Sequence, residues 1–201
     1  MNTTQMERFT EHCNHYFGQR DPIVLHPTFQ APVHIDVLRY EPNEKYPFWK
    51  LVTMGASDFK MSNAKGQLGD RNEYMMAVAP DVDLNDPEIY NWFFTTLQGI
   101  AAAPIEGNYF MSYGHSTEWP AEGDSDMVGA YITMPQIMED VGFLRCKLGL
   151  MKQVILLQPV LLTQQEMDKL MEIGSQAFDD FLYPDEGEPH YLCEKNRSER
   201  F

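Results

Sequence analysis

Apolar residues along the chain follow two patterns that predict two kinds of secondary structure. In three segments they recur every three to four residues, which is the spacing of one face of an α-helix. These segments lie near the N-terminus, after Asp86 and after Thr163. Elsewhere, short runs rich in Val, Ile, Leu and aromatic residues are typical of β-strands. The pattern therefore predicts three amphipathic helices combined with a β-sheet.

Residues with known capping roles mark where these helices begin and end. The first and last helices are each predicted to start at the spacing of a capping box, with Thr4 and Thr163 as the N-caps. Asp86 is a favourable N-cap for the middle helix because Pro87 occupies the first helical position behind it. Pro104 is predicted to lie just beyond the end of that helix.

Six apolar runs are predicted as strands, at residues 33–40, 48–54, 73–79, 109–113, 129–134 and 151–162. The first three are joined by short turns, which favours antiparallel pairing. The last run is the most apolar, so it is expected to be central in the sheet, with pairing that ends near Pro159. Together these elements predict an α+β (mixed α/β) fold with a central mixed, largely antiparallel sheet and helices packed on it.

The length of 201 residues favours a single domain. Apolar residues make up 43% of the chain and charged residues 22%, which is the composition of an ordinary globular protein. We expect residues 1–32 to form an N-terminal helix and an extended connection, and residues 33–183 to form the domain. Residues 184–201 are polar and without periodicity, so they are predicted to be a loose polar tail.

The charge of the chain narrows the classes of partner. Lys and Arg number 15 against 30 Asp and Glu, which gives a formal net charge of −15. A field of this sign repels phosphate backbones and anionic lipid headgroups, so nucleic-acid binding and electrostatic membrane attachment are not expected. The same field attracts basic molecules. The charge therefore favours a basic protein as the partner and leaves the oligomeric state open.

The compartment is predicted from features that the chain lacks. Glu7 and Glu11 interrupt the N-terminal segment where a signal peptide needs an apolar stretch, and no run approaches the length of a membrane span. Cys13, Cys146 and Cys193 are odd in number and widely spaced, so they are read as reduced thiols. We therefore expect a cytoplasmic protein.

Two segments separated by a predicted turn carry a recognisable pattern. Residues 34–37, HIDV, followed by residues 51–61, LVTMGASDFKM, resemble the core signature of the suppressor-of-fused-like domain family. Residues 73–80 are similar to the next strand of the family, which commonly ends in Leu-Pro where this chain has Ala-Pro. Residues 113–116 resemble its Gly-His turn, and the last apolar run and helix resemble its final strand and helix. The resemblance covers most of the chain.

The resemblance implies binding and no chemistry. Animal members of the family are two-lobed regulators that clamp a short peptide of a transcription factor as an added strand. Bacterial members are mostly single domains, and many act as immunity proteins against polymorphic toxins. This chain looks like the bacterial type and is too short for the second lobe. The expected function is that of a non-enzymatic binding protein, an immunity protein that neutralises a cognate basic toxin. The alternative is a peptide-binding regulatory module that uses strand addition.

Two acidic clusters are the predicted contacts of a basic partner. The first precedes the second helix, and the second crowds one loop that also carries a tryptophan suited to anchor an interface. A solvated surface that aids solubility is an equally good interpretation of both clusters. The predicted partner-binding residues are Asp81, Asp83, Asp86, Glu118, Trp119, Glu122, Asp124 and Asp126.

Four other residues have the chemistry of a hydrolase site but lack its motif. His34, Asp36, Asp58 and His115 offer acids and bases, yet no nucleophile motif accompanies them. A strand-face hydrogen bond between His34 and Asp36 and a self-capping turn at Asp58 explain these residues better. Catalytic residues are therefore not predicted.

The first predicted helix carries two histidines whose spacing bears on metal binding. His12 and His15 are three residues apart, a spacing compatible with metal binding. Solvent exposure of both is favoured because the one nearby carboxylate, Glu11, points elsewhere on the helix. The sequence thus predicts no metal site and no cofactor.

Overall fold

One mixed sheet organises the protein, with one helix on one face and two helices on the other. The structure is a computed structural model, and it describes residues 1–27, 33–61, 69–120, 123–186 and 189–197. In chain order its elements are α1 (Thr3–Phe17), β1 (Ile23–Leu25), β2 (Asp36–Tyr40), β3 (Trp49–Met54), β4 (Asn72–Val78), α2 (Pro87–Glu106), β5 (Ser116–Glu118), β6 (Gly129–Thr133), β7 (Arg145–Lys147), β8 (Gln153–Leu162) and α3 (Gln164–Leu182).

The order of the strands agrees with the predicted fold class. The sheet runs β1-β2-β3-β4-β8-β6-β5, and β7 pairs with the first part of β8. Strands β2, β3 and β4 are antiparallel neighbours as predicted, although the connection from β3 to β4 is longer than a turn and spans residues 55–71. Among the strands that the structure describes, β4 and β8 are the parallel pair, and β8 lies centrally as expected from its apolar sequence. The chain forms a single domain with a mixed, largely antiparallel sheet.

Alternation along the strands sends neighbouring residues to opposite faces of the sheet. Leu51 of β3 belongs to the apolar cluster that contains α2, whereas Val52 belongs to the cluster that contains α1. Helix α3 covers the other half of the α1 face, where Phe178 packs edge-on against Tyr131. Burial of both sheet faces explains why apolar residues follow one another directly in the central strands, as at residues 75–78 of β4 and 154–157 of β8.

The helix starts agree with two of the three predicted caps. Asp86 accepts a hydrogen bond from the backbone of α2, and Thr163 forms the expected capping box of α3. Helix α1 is capped by Asn2 with Gln5, so the prediction of Thr4 as its N-cap is wrong. Helix α2 continues through the buried Pro104 to Glu106. A proline near a helix end removes one backbone donor without breaking the preceding turns.

Two strand predictions are corrected by the structure. Residues 109–113 do not form a strand; the strand of this region is β5, which begins after the turn at Gly114, whose φ is 82°. Pairing of β8 continues past Pro159, which lies opposite Ile132 of β6. The proline is tolerated because β4 pairs with β8 only as far as Leu157, so that side needs no donor at position 159.

Residues 189–197, here called the C-terminal segment, lie where β4 and β8 diverge and are not loose as expected for residues 184–201. Cys193 is fully buried, donates its N–H to the Ala77 carbonyl at 2.8 Å and accepts from the Ala79 N–H at 3.1 Å. These bonds satisfy backbone groups of β4 that β8 no longer reaches. Arg197 then donates to the Leu161 carbonyl of β8 at 2.6 Å.

The three cysteines lie in the interior of the protein. Cys13, Cys146 and Cys193 are buried thiols. Burial raises the pKa of the Cys146 thiol to about 12 and that of Cys13 well above its usual value, which makes both poor nucleophiles.

None of the helices that the structure describes combines the length and the apolarity needed to cross a bilayer.

Candidate functional site

A groove of about 630 Å³ opens between α2 and the region of β5. Trp92 and Gly99 contribute to its α2 wall, and Trp119 with the acidic Glu118 and Asp124 contributes to the opposite wall. Aromatic surface with a few polar groups around it is the usual lining of a binding site in proteins. The groove therefore joins the second acidic cluster to an apolar surface, and we call it the α2–β5 groove.

The edge of the sheet borders this groove. Strand β5 pairs with β6 on one side and is the last strand of the described sheet on the other. The Trp119 N–H donates to the Val128 carbonyl at 2.9 Å, toward β6. Because alternate residues of an antiparallel strand bond to the same neighbour, Glu118 and Ser116 direct their backbone N–H and C=O groups to the outer edge. This edge can accept a further strand.

The Trp119 side chain is held in place within the groove wall. Its indole N–H donates to the Met127 carbonyl at 3.0 Å, and the ring is half-buried. The hydrogen bond fixes the polar end of the ring, so its apolar face can serve a partner with little loss of conformational entropy. The role of Trp119 as an aromatic anchor for a partner stays a prediction.

The acidic residues of the second cluster differ in how they are engaged. Glu118 and Asp126 are exposed, and Asp124 forms an ion pair with Lys195 of the C-terminal segment at 2.6 Å. The hydrogen bond from Lys195 holds the pKa of the Asp124 carboxyl below its usual value. Glu122 lies outside the described residues. The structure thus brings Glu118, Trp119 and Asp124 together at one groove, with Asp126 on the same loop.

The first acidic cluster has a different setting. Asp81 and Asp83 are exposed, and Asp83 accepts a hydrogen bond from the Asn85 N–H at 3.0 Å. Asp86 accepts from the Glu88 N–H at 2.8 Å as the cap of α2. None of these aspartates is among the lining residues of the α2–β5 groove. Their contact with a partner stays a prediction, whereas the structure already gives Asp86 a role in the helix start.

The four residues of the rejected hydrolase set do not assemble into one site. His34 contacts Asp36, with 2.7 Å between the ring Nε2 and Oδ1, as the expected strand-face bond requires. Asp58 does not cap its own turn and instead binds Lys152 at 2.5 Å. His115 contacts the backbone of its own turn. Only the His34–Asp36 pair forms a direct contact among them.

The segment that resembles the family signature is held by a buried glutamate from the neighbouring strand. Glu73 of β4 accepts hydrogen bonds from the Thr53 hydroxyl at 2.7 Å, the Gly55 N–H at 2.8 Å and the Ser57 N–H at 3.0 Å. Burial raises the pKa of the Glu73 carboxyl, and these hydrogen bonds oppose the rise. The signature is therefore explained by the construction of a turn.

One histidine departs from its predicted exposure, and another forms a contact that the sequence did not indicate. His12 is half-buried against Phe143, and its Nε2 lies 2.9 Å from the Phe143 carbonyl oxygen, so its predicted exposure is wrong; His15 is exposed. His26 was not singled out, yet its Nδ1 lies 2.8 Å from Oδ1 of Asp36. The only sequence signal for His26 is its position directly after an apolar run, and the pairing of that run with β2 creates the contact.

Comparison with known proteins places this construction in a family. The model of the family described as Suppressor of fused protein (SUFU) matches residues 31–197. The chain belongs to this family. The resemblance of the HIDV and LVTMGASDFKM segments is thereby confirmed. No curated protein matches the chain in sequence.

Solved structures with the same fold include single and complexed members of the family. The chain is similar to the Sufu–Fu complex crystal structure with a TM-score of 0.67, 15% identity and coverage of 96% of this chain and 89% of that chain. It is equally similar to a SUFU homolog from Neisseria gonorrhoeae, with a TM-score of 0.67, 16% identity and coverage of 96% and 95%. For Drosophila Suppressor of Fused the TM-score is 0.64 at 15% identity, and the match spans 94% of this chain but 49% of that chain.

Proposed function

We propose that this chain is a non-enzymatic protein-binding module that receives a basic partner in the α2–β5 groove, and that it acts as an immunity protein neutralising a cognate toxin in the cytoplasm. The observation that carries the proposal is the coincidence of three features at one place. A tryptophan ring, exposed carboxylates and the outer edge of the last described strand all border the same groove. The Sufu–Fu complex, a structure of the same fold, is an assembly of two proteins.

The chemistry of the groove specifies the partner that fits it. Trp92 and Trp119 offer apolar surface to an aliphatic or aromatic side chain, while Glu118 and Asp124 offer carboxylates to Lys or Arg beside it. The net charge of −15 draws a basic protein toward the surface before contact. A basic cleft of a toxin, which would otherwise hold a phosphate backbone, has this complementary chemistry.

Co-expression with the product of the adjacent gene tests the proposal. Gly99 lies inside α2 in the groove wall, and a Cβ at this position meets no atom within 4 Å, so Gly99→Arg can place a long cationic side chain at the groove. Gly149 is equally unobstructed but lies at the β7–β8 turn, which makes Gly149→Arg a charge-matched control. We expect the wild type and Gly149→Arg to rescue growth and to co-purify with the toxin, and Gly99→Arg to do neither.

The two possible failures of this experiment have different meanings. If no neighbouring gene product binds or is neutralised, the immunity role is contradicted. If Gly99→Arg rescues as well as the wild type, a partner is bound elsewhere and the groove is contradicted.

The second candidate function is a regulatory module that binds a peptide by strand addition at β5. The outward backbone groups of Ser116 and Glu118 favour this function, because an added strand would form hydrogen bonds with them. Backbone hydrogen bonds and apolar contacts depend little on ionic strength. Affinity for a short extended peptide that persists at high salt supports this function. A complex driven by charge weakens as salt rises.

A further inference from the structure

Three side chains of the types that can ligate a metal converge at the β1 edge of the sheet, at the opposite end from the α2–β5 groove. Nδ1 of His26 lies 2.8 Å from Oδ1 of Asp36, and Nε2 of His34 lies 2.7 Å from the same oxygen. We propose that these three atoms bind a divalent transition-metal ion of the Zn²⁺ type. The sequence predicts no metal here, because the set is completed only when β1 pairs with β2.

The pairing of the strands creates the set. Leu25 of β1 is opposite Val37 of β2, so the next residue, His26, comes beside Asp36. His34 and Asp36 are two residues apart on one chain segment and therefore point to the same side. Two imidazoles from two segments thus face one carboxylate oxygen.

The backbone that carries His34 and Asp36 is anchored on both sides. Gln98 of α2 donates its side-chain N–H to the Ile35 carbonyl at 2.6 Å, between the two ligands. Gly55, with a φ of 128°, lies so close to the His34 carbonyl that any side chain at position 55 would collide with it. Gly55 is held in turn, because its N–H donates a hydrogen bond to the carboxylate of the buried Glu73. Such support limits the conformational entropy that the site loses when an ion binds.

The burial of the three side chains fits an ion that approaches from solvent. The Asp36 side chain is 3% exposed, whereas those of His26 and His34 are 67% and 64% exposed. Imidazole rings that are this open do not serve to fill the core. Two histidines and one carboxylate are also the protein ligands of many zinc sites, which leave further positions to water or to an external group.

Only a small movement converts the contacts into coordination. Zinc binds nitrogen and oxygen ligands at about 2.0–2.2 Å, which in tetrahedral geometry separates the ligand atoms by about 3.3 Å. Each ring must therefore withdraw from Oδ1 by about half an ångström, and the exposure of both rings permits this. In the bound state the facing nitrogens carry lone pairs, so the ring protons are held on the other nitrogens. The acidic protein adds a general attraction for cations.

Calorimetric titration of the tag-free chain with ZnCl₂ tests the site. The buried Asp36 is left intact, and the variants are His26→Gln and His34→Gln, which change exposed side chains only. His15→Gln is the matched control, because His15 is exposed and has the i, i+3 neighbour His12. We expect the wild type and His15→Gln to bind one Zn²⁺ per chain and each site variant to bind more than about tenfold more weakly.

A second measurement uses Co²⁺, whose visible absorption reports the ligand geometry without any assay of function. We expect an absorption band at one equivalent of Co²⁺ in the wild type and its loss in the double variant His26→Gln/His34→Gln. The proposal is overturned if the wild type shows no saturable binding of either ion. It is also overturned if the double variant binds as the wild type does, or if His15→Gln removes the binding.

Discussion

Two acidic clusters that are alike in sequence have different surroundings in the structure. The first, Asp81, Asp83 and Asp86, lies between β4 and α2, and Asp83 and Asp86 accept hydrogen bonds from nearby backbone N–H groups. The second, around Glu118 and Asp124, borders a groove with two tryptophans and a strand edge. Charge alone therefore does not separate the two clusters. The second differs by the concave apolar area and the edge strand of the described sheet that lie beside it.

The loop of the second cluster is also held by hydrogen bonds to the C-terminal segment. The Ser125 hydroxyl donates to the Lys195 carbonyl at 2.9 Å, and the Asp126 N–H donates to the Asn196 side chain at 3.0 Å. Arg197 ends this segment in a buried ion pair with Glu166 of α3. The wall of the groove therefore depends on a contact that lies inside the protein.

The largest expected effect comes from removing that contact. Arg197→Ala leaves the Glu166 carboxylate, whose side chain is 1% exposed, without its guanidinium partner. We expect the free energy of unfolding to fall by about 3–5 kcal/mol, measured by urea denaturation. The control is Lys195→Ala, which breaks the ion pair with the exposed Asp124 and should cost less than about 1 kcal/mol. Equal effects of the two variants would contradict the anchoring role of Arg197.

Lys50 is a second buried cation, whose partners are a backbone carbonyl and aromatic rings, whereas Arg197 is paired with a carboxylate. The Lys50 ammonium is fully buried and donates to the Glu41 carbonyl at 2.6 Å, and it lies over the rings of Phe17 and Phe48. Burial lowers the pKa of Lys50 to about 8. We expect Lys50→Met, which keeps the volume, to stabilise the protein at pH 7 by about 1 kcal/mol or more.

The pH dependence of this effect has a defined sign. Between pH 8 and the ordinary Lys pKa of 10.5, the unfolded chain binds more protons at position 50 than the folded chain does. The wild type therefore gains stability as the pH rises through this window, and the variant lacks this gain. The stability difference should shrink toward pH 10.5 in urea denaturation at several pH values. A difference that is constant over this range would show that Lys50 is not desolvated.

A smaller effect is expected within the first cluster. Asp86→Ala removes the N-cap of α2 and should lower the free energy of unfolding by about 1 kcal/mol. Asp81→Asn, at an exposed position of the same cluster, should change it by less than about 0.5 kcal/mol. Thermal denaturation of both variants compares them directly. If Asp81→Asn were as costly as Asp86→Ala, the cluster would have a structural role beyond capping.

Local patterns predicted the parts of the fold that depend on neighbours in sequence. The cap at Asp86 and the capping box of Thr163 with Glu166 are confirmed because a few adjacent residues determine them. The cap of α1 was missed because Asn2 with Gln5 has the same spacing as Thr4 with Glu7, and both pairs compete for one helix start.

Contacts between distant segments could not be read from the sequence. Strand β5 is three residues long and has no apolar run, so only its pairing with β6 defines it. Cys193 is buried because β4 and β8 diverge, and no periodicity near residue 193 records that divergence. The same reason explains why the sequence pointed to the acidic residues as candidate contacts and gave no sign of the groove beside Trp119.

Association kinetics of charge-matched variants test the central claim most directly. One variant neutralises the second cluster (Glu118→Gln, Asp124→Asn, Asp126→Asn), the other neutralises the first (Asp81→Asn, Asp83→Asn, Asp86→Asn), and each removes three negative charges. Association with the adjacent-gene product is followed over a range of NaCl concentrations. We predict that the second-cluster variant associates about tenfold more slowly at low salt and with a flatter salt dependence, while the first-cluster variant stays close to the wild type. Equal slowing of both variants, or of neither, would contradict a basic partner at the α2–β5 groove.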